Sequence, residues 1–217
     1  TGEKISGKTV IVATGGKSVP HTGSTGDGYA WAEAAGHTIT ELYPTEVPIT
    51  SNEPFIQSRE LQGLSLRQIT LSVWNPQGKK VIVHEGDLLF THFGLSGPAA
   101  LRCSQFVVKT KKQFAVDTVS LTIDLFPGKP QETVEKELFQ LCKQEPKKTF
   151  RNVLKGYLPE RLIPLMLHKA GMDPDVTCAH ISKKDLQAFG KLLKYFPVQA
   201  NGTLPIESAF VTGGGVH

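Results

Sequence analysis

Apolar and polar positions change their period several times along the chain, and each change marks an element. Residues 8–13 (K-T-V-I-V-A) are apolar and β-branched without alternation, which predicts a short strand buried on both faces of a parallel sheet. The run stops at Thr14-Gly15-Gly16. Residues 27–35 (D-G-Y-A-W-A-E-A-A) then read as one helix, with Thr25 or Asp27 capping its start and Gly36 its end. Residues 38–58 contain Pro44, Pro48 and Pro54, hold no period for more than four residues, and read as a crossing segment.

Residues 66–74 alternate apolar and polar, Asn75-Pro76-Gln77-Gly78 supplies a turn, and residues 79–84 return as the second arm of a hairpin. A third strand ends at Leu88-Leu89-Phe90, a short helix fits between Gly97 and Ser104, and residues 116–125 alternate again. These elements predict an antiparallel sheet or small barrel. After Pro127 the period becomes helical, because Val134, Leu138, Leu141 and Cys142 fall at i, i+4, i+7 and i+8 of residues 131–143. Three more helices follow over 150–156, 160–170 and 182–195, the last opened by Ser182 and Asp185 in a capping-box pattern. Residues 196–200 and 209–212 return to strand.

Composition narrows the class. With 217 residues, 39% hydrophobic against 20% charged, and a net charge of +4, the chain is a folded one and not a disordered acidic or basic tract. No apolar run approaches the roughly 20 residues that cross a bilayer, and a soluble, cytoplasmic protein is expected. Cys103, Cys142 and Cys178 are an odd number at wide spacing, so they read as buried, inert thiols and not as a disulfide framework. The histidines show no metal-ligand spacing, and no metal is expected. Charge is uneven, since residues 127–195 hold 13 Lys+Arg against 8 Asp+Glu.

The strongest chemical signal is T-V-I-V-A-T-G-G-K-S-V-P, Thr9 to Pro20. A strand running into glycines presents backbone N–H groups at the carboxyl end of a parallel sheet, where open α/β folds place ligands. A G-x-G-x-x-G is absent. The A-T-G-G-K-S-V-P block resembles the ATG motif of two-dinucleotide-binding flavoproteins. His21 to Ile39 (H-T-G-S-T-G-D-G-Y-A-W-A-E-A-A-G-H-T-I), P-T-E-V-P (Pro44 to Pro48), L-L-F-T-H-F-G-L-S-G-P (Leu88 to Pro98) and A-F-V-T-G-G-G-V (Ala209 to Val216) extend the likeness. Together these blocks resemble the bacterial aminoacetone oxidase and bile-acid reductase-like flavoproteins, also described as NAD(FAD)-utilising dehydrogenases.

The resemblance implies an α+β architecture: an antiparallel β-barrel-like insert carrying a small helical bundle, flanked by edges of a Rossmann-like FAD-binding domain. It divides the chain into a partial FAD-domain edge at 1–50, the barrel insert at 51–126, the helical subdomain at 127–195, a return to the barrel at 196–206, and a second FAD-domain segment at 207–217. Thr14, Gly15 and Gly16 would approach the FAD, Gly23, Ser24, Thr25, Gly26 and Asp27 would form a turn and helix start near the flavin, and Gly213, Gly214 and Gly215 would act from the other edge. NAD(P)H or dioxygen would be the electron partner. The family's amino-terminal glycine-rich pyrophosphate loop has no counterpart here. The chain is therefore expected to be the middle of an FAD-dependent oxidoreductase that covers the flavin and shapes a small-molecule pocket, inactive alone and completed by the rest of its own FAD-binding domain.

Two further features carry weaker expectations. His92 in T-H-F-G-L-S-G-P reads as structural, with Gly94 and Gly97 letting the loop close on the flavin domain. Lys147, Lys148, Arg151 and Lys155, followed by Lys183, Lys184, Lys191 and Lys194, could face phosphates, but interleaved acids favour a solvated face, and nucleic acid is not an expected partner. The competing class is a non-catalytic binding module that uses these helices for nucleic acid or the barrel for a protein.

Overall fold

The computed structural model describes residues 2–217. Its strands are β1 (Tyr43–Thr45), β2 (Ile49–Thr50), β3 (Ser65–Trp74), β4 (Lys80–Phe90), β5 (Gly94–Ser96), β6 (Val119–Asp124), β7 (Phe196–Ala200), β8 (Gly202–Thr203) and β9 (Val211–Gly213). Its helices are α1 (Asp27–Ala34), α2 (Pro54–Gln57), α3 (Pro98–Phe114), α4 (Gln131–Gln144), α5 (Phe150–Leu154), α6 (Ile163–Lys169) and α7 (Lys183–Lys194).

The long hairpin is built as its sequence demands. Asn75 Oδ1 accepts from the N–H groups of Gln77 and Lys79 at 3.1 and 2.9 Å and closes the turn between β3 and β4. Residues 80–90 are one continuous strand, so the separate third strand expected at Leu88–Phe90 is its far end. Register shifts between Leu66 and Ile69, where Gln68 has φ 47° and its N–H donates to Asp87 Oδ1 at 3.0 Å. This bulge bends β3 and lets the sheet curl.

Seven strands share that sheet in the order β7-β6-β3-β4-β5-β2-β8, every pair antiparallel. β7 and β8 occupy its opposite edges, yet only Asn201 separates them in the chain. The sheet therefore curls until its two edges meet in one continuous stretch. No ladder joins β7 to β8 among the described residues, so the ring is completed by the chain itself and not by strand pairing. The Asn201 N–H donates to Thr50 O at 3.0 Å and Ser51 Oγ to Gln199 O at 2.7 Å, which pins the seam.

Helix α3 packs against β3 and β4 and also reaches β1, β2, β5, β6 and β8. It is more than twice the length expected between Gly97 and Ser104. Beyond Ser104 its inward positions are Val107 and Thr110, and buried hydroxyls at Ser104 and Thr110 hide the apolar period. The Ser104 hydroxyl satisfies Leu101 O at 2.7 Å and accepts from Val47 N–H at 3.3 Å.

Four helices, α4 to α7, follow Pro127. In α7, Leu186, Phe189 and Leu193 are buried, each worth roughly 1.5–3 kcal/mol of apolar transfer. Phe189 meets Phe150 edge-to-face at 5.1 Å. The capping box at Ser182 and Asp185 forms as predicted. One continuous core joins this subdomain to the sheet. Lys194 stitches them further, its ammonium lying 2.7 Å from Asp124 Oδ2 and donating to the carbonyls of Phe126 and Lys129 at 2.8 and 2.6 Å.

Other expectations need correction. The crossing segment at 38–58 contains β1, β2 and α2, each too short to show a period. The alternating run at 116–125 forms a strand only over β6, and the last strand sits at β9 and not at 209–212. Residues 8–13 form no strand: Val10, Ile11 and Val12 are 82, 89 and 53% exposed. A β-branched run favours extended chain, but a ladder needs neighbours, and no described segment pairs with this one. The parallel sheet that it implied is likewise not formed by the described residues, whose strand pairs are antiparallel. Helix α1 begins after Gly26 at φ 87° with no side-chain cap from Thr25 or Asp27, and ends at Ala35. No helix is long and apolar enough to cross a membrane among the described residues.

Candidate functional site

The glycine loop near the amino terminus and the glycine run near the carboxyl terminus meet in space. β9 pairs antiparallel with β1, aligning Gly213 with Tyr43 and Val211 with Thr45. This brings Thr212 to the loop that follows residue 13. Its Oγ1 accepts from the N–H groups of Lys17 and Ser18 at 2.9 and 3.0 Å, and it lies 2.8 Å from Ser18 Oγ. Ser18 is buried at 7% exposure, so this hydroxyl clasp fastens two segments 194 residues apart.

Close approach explains two of the glycines. A Cβ on Gly16 would overlap the Thr212 side chain, and one on Gly214, at φ 80°, would overlap Glu41 O. Gly15, Gly26 and Gly213 also abut protein, namely Ser24, the Lys17 stem and the Tyr43 ring. Gly23 and Gly215 face open space. Ser24 is half-buried, and Thr25 and Asp27 are exposed at the α1 start.

All the singled-out residues thus fall in one region, on two converging segments. A hollow of about 500–600 Å³ opens there, lined by Val10, Val12, Thr14, Gly15, Trp31 and Val216. Among the described residues, the N–H groups of Thr14, Gly15 and Gly16 donate to no protein acceptor. Helix α1 buries only Gly28 and leaves Trp31 56% exposed. The site therefore offers a largely apolar wall, with Tyr29 and His37 also lining the hollow and free backbone donors at Thr14 and Gly15.

Sequence reasoning found the glycines but missed Thr212, Tyr43 and Trp31. A threonine between an apolar run and three glycines was the available signal for the clasp. His92 sits exposed at a turn in which Thr91 Oγ1 bonds Gly94 O and Gly94 N–H, both at 3.1 Å. Gly94 and Gly97 allow that turn to approach Ile49 O and Asp87 O, so the contacts they permit lie on β2 and β4. The thiols are buried as expected. Burial pushes Cys103 up to about 12, and burial with the neighbouring Cys178 thiol pushes Cys142 up to about 12.

Comparison with known proteins follows this geometry. Residues 43–211 match the family described as HI0933-like protein barrel and H2TH domain. A Haemophilus influenzae protein named ribosomal RNA dihydrouridine synthase is 34% identical over 209 residues, 96% of this chain and 48% of its own length. An Escherichia coli protein of the same name is 32% identical over 215 residues, 99% of this chain and 50% of its own. A Clostridium scindens 3-dehydro-bile acid delta(4,6)-reductase is 24% identical over 218 residues, covering this whole chain and 51% of the relative. The chain spans about half the length of these relatives. The expected likeness to a bile-acid reductase is therefore found, whereas the more similar relatives carry the RNA enzyme's name and not that of an aminoacetone oxidase. On the match over residues 43–211, the chain belongs to the HI0933-like family.

Proposed function

We propose that this chain is the substrate-facing part, with one flavin-contacting edge, of an FAD-dependent reductase acting on ribosomal RNA. The observation that carries the reading is the joining of the Thr14–Gly16 and Gly213–Gly215 segments through Thr212, beside a hollow that Thr14, Gly15 and Val216 line. An FAD fits what is present on two counts: unpaired N–H donors at Thr14, Gly15 and Gly16 suit a phosphate or flavin carbonyl, and the Val10, Val12 and Trp31 wall suits a flat ring. The bound flavin would supply hydride chemistry, with NAD(P)H or dioxygen exchanging electrons with it. Thr212 and Ser18 would hold the donor-bearing loop in place, and the exposed face of Val10 and Ile11 would be covered by the remainder of the FAD-binding domain.

The substrate class follows from the relatives. Dihydrouridine is uridine with two added hydrogens, and the bile-acid relative is named a reductase, so both names describe reduction. The two relatives named for RNA are 34 and 32% identical, against 24% for the third, which favours RNA over a small acid. Deleting the gene in its host and quantifying ribosomal RNA nucleosides by mass spectrometry tests this. Loss of dihydrouridine, restored by complementation, is expected. Unchanged dihydrouridine content overturns the RNA reading.

A further inference from the structure

The helical subdomain carries one exposed basic face that the core does not use. Residues 146–150 run beside residues 176–179: Phe150 N–H donates to Val176 O at 2.9 Å, and Cys178 and Ala179 N–H to the carbonyls of Lys148 and Pro146, both at 2.9 Å. This sets Lys147 and Lys148 against Ala179 and His180, with the Lys183-Lys184 pair opening α7 just beyond. Arg151 and Lys155 continue from the other side, i and i+4 around α5 and its end, each one position past buried Phe150 and Leu154.

Five of the six cations here are free among the described residues, and only Lys148 is paired, unlike structural cations such as Lys194. Lys194, Lys129 and Lys169 each sit within ion-pair distance of a carboxylate, and Arg161 donates to the carbonyls of Glu60 and Gln62. Among the described residues, Lys147, Arg151, Lys155, Lys183 and Lys184 are exposed and lie in no ion pair. Asp173 and Asp175, exposed just before Val176, lie at the edge of this face and form no ion pair among the described residues, Asp173 Oδ1 accepting from Asp175 N–H at 2.9 Å, while the other nearby acids are engaged or peripheral. Glu145 pairs with Lys148 at 2.9 Å, Asp185 is held in the capping box, and Glu132 and Glu135 border the face across the hollow they share with Lys183.

We propose that this face binds the sugar-phosphate backbone of RNA, positioning the substrate while the base reaches the flavin-facing site; the placement rests on the RNA reading above. It reverses the solvated-face expectation. Unpaired cations on two elements that flank one seam, with few aromatic groups beside them, suit phosphate contact and not base stacking.

The full 217-residue chain and a fluorescein-labelled RNA hairpin, titrated by anisotropy across salt, provide the test. Five phosphate contacts weaken binding roughly 10²- to 10³-fold between about 50 and 200 mM salt. The exposed fivefold variant Lys147→Gln, Arg151→Gln, Lys155→Gln, Lys183→Gln, Lys184→Gln should flatten that slope by about one unit per charge. A control variant, Arg67→Gln with Lys79→Gln and Lys80→Gln on the sheet hairpin, should leave it unchanged. Should the fivefold variant not fold by circular dichroism, Lys183→Gln with Lys184→Gln still predicts a loss of about two units. Equal slopes in wild type and basic-face variants, or equal losses in both sets, overturn the placement. RNA binding lost through the face while host dihydrouridine is unaffected by gene deletion would instead sink the substrate reading and keep the face.

Discussion

Replacing Thr212 by valine keeps the side-chain volume and removes the hydroxyl that accepts both loop N–H groups. Lys17 N–H is exposed and loses a bond worth about 0.5–1.5 kcal/mol, whereas Ser18 is 7% exposed and leaves a buried donor at about 1–3 kcal/mol. Allowing for partial rescue by water, undocking of the loop should become easier by about 2–3 kcal/mol, or roughly 30- to 150-fold. The effect is local, because Thr212 sits in the two-stranded β1–β9 sheet and, among the described residues, its hydroxyl bonds only the loop residues Lys17 and Ser18. The readout is amide exchange at Lys17 and Ser18, whose N–H groups donate to Thr212 Oγ1, so their protection reports the docked loop. Thr212→Ser retains the hydroxyl and should stay within a few-fold of wild type. Exchange at those two amides within threefold of wild type in Thr212→Val, a margin well below the roughly 30-fold floor, would refute the clasp.

Four further outcomes are expected. Phe189→Ala deletes a fully buried ring packed on Phe150 and should cost about 3–5 kcal/mol by urea denaturation; a loss below 1 kcal/mol would deny Phe189 its place in the core. Lys194→Met leaves the Asp124 carboxylate and two carbonyls without their cation, and about 2–4 kcal/mol should disappear, read from the same denaturation curve. Cys103 is raised from 9.0 to about 12 in the folded chain, so the thiol contribution is complete below pH 9 and fades as pH climbs toward 12; Cys103→Ala should flatten stability across that window. The exposed Val10, Ile11, Phe210 and Val216 should drive concentration-dependent association, which light scattering would detect and Val10→Ser with Ile11→Ser should reduce.

What the sequence could disclose follows the range of the forces involved. Helix α7 was legible because its cap, its apolar stripe and its flanking breakers lie within one dozen residues, and the capping box formed as read. The β3–β4 turn was legible for the same reason, through Asn75. The strand expected at 8–13 did not form, because local preference builds no ladder without a neighbour and no described segment pairs with it. α3 was underread because Ser104 and Thr110 are buried hydroxyls that mimic a polar face. At the site, the glycine motifs stood out, but the clasp joins Ser18 to Thr212 across 194 residues, and the threonine beside the glycines was its one local trace. The basic residues were legible one by one, Lys147 to Lys155 and Lys183 to Lys194, but read as a solvated face. Its coherence depends on the 146–150 and 176–179 segments running side by side.

The seam at Asn201 also fixes when the molecule can finish folding. β7 and β8 emerge from synthesis after the entire helical subdomain, and until they arrive β6 and β2 are open edges with unpaired backbone groups. Residues 196–203 act as a keystone: they convert an exposed ribbon into a ring with a single late insertion. A nascent chain stalled at Tyr195 would hold most of the apolar core and both sticky edges, the combination that promotes aggregation. A chain truncated there should be recovered in the insoluble fraction, and soluble, monomeric recovery would show that the ring does not depend on its last strands.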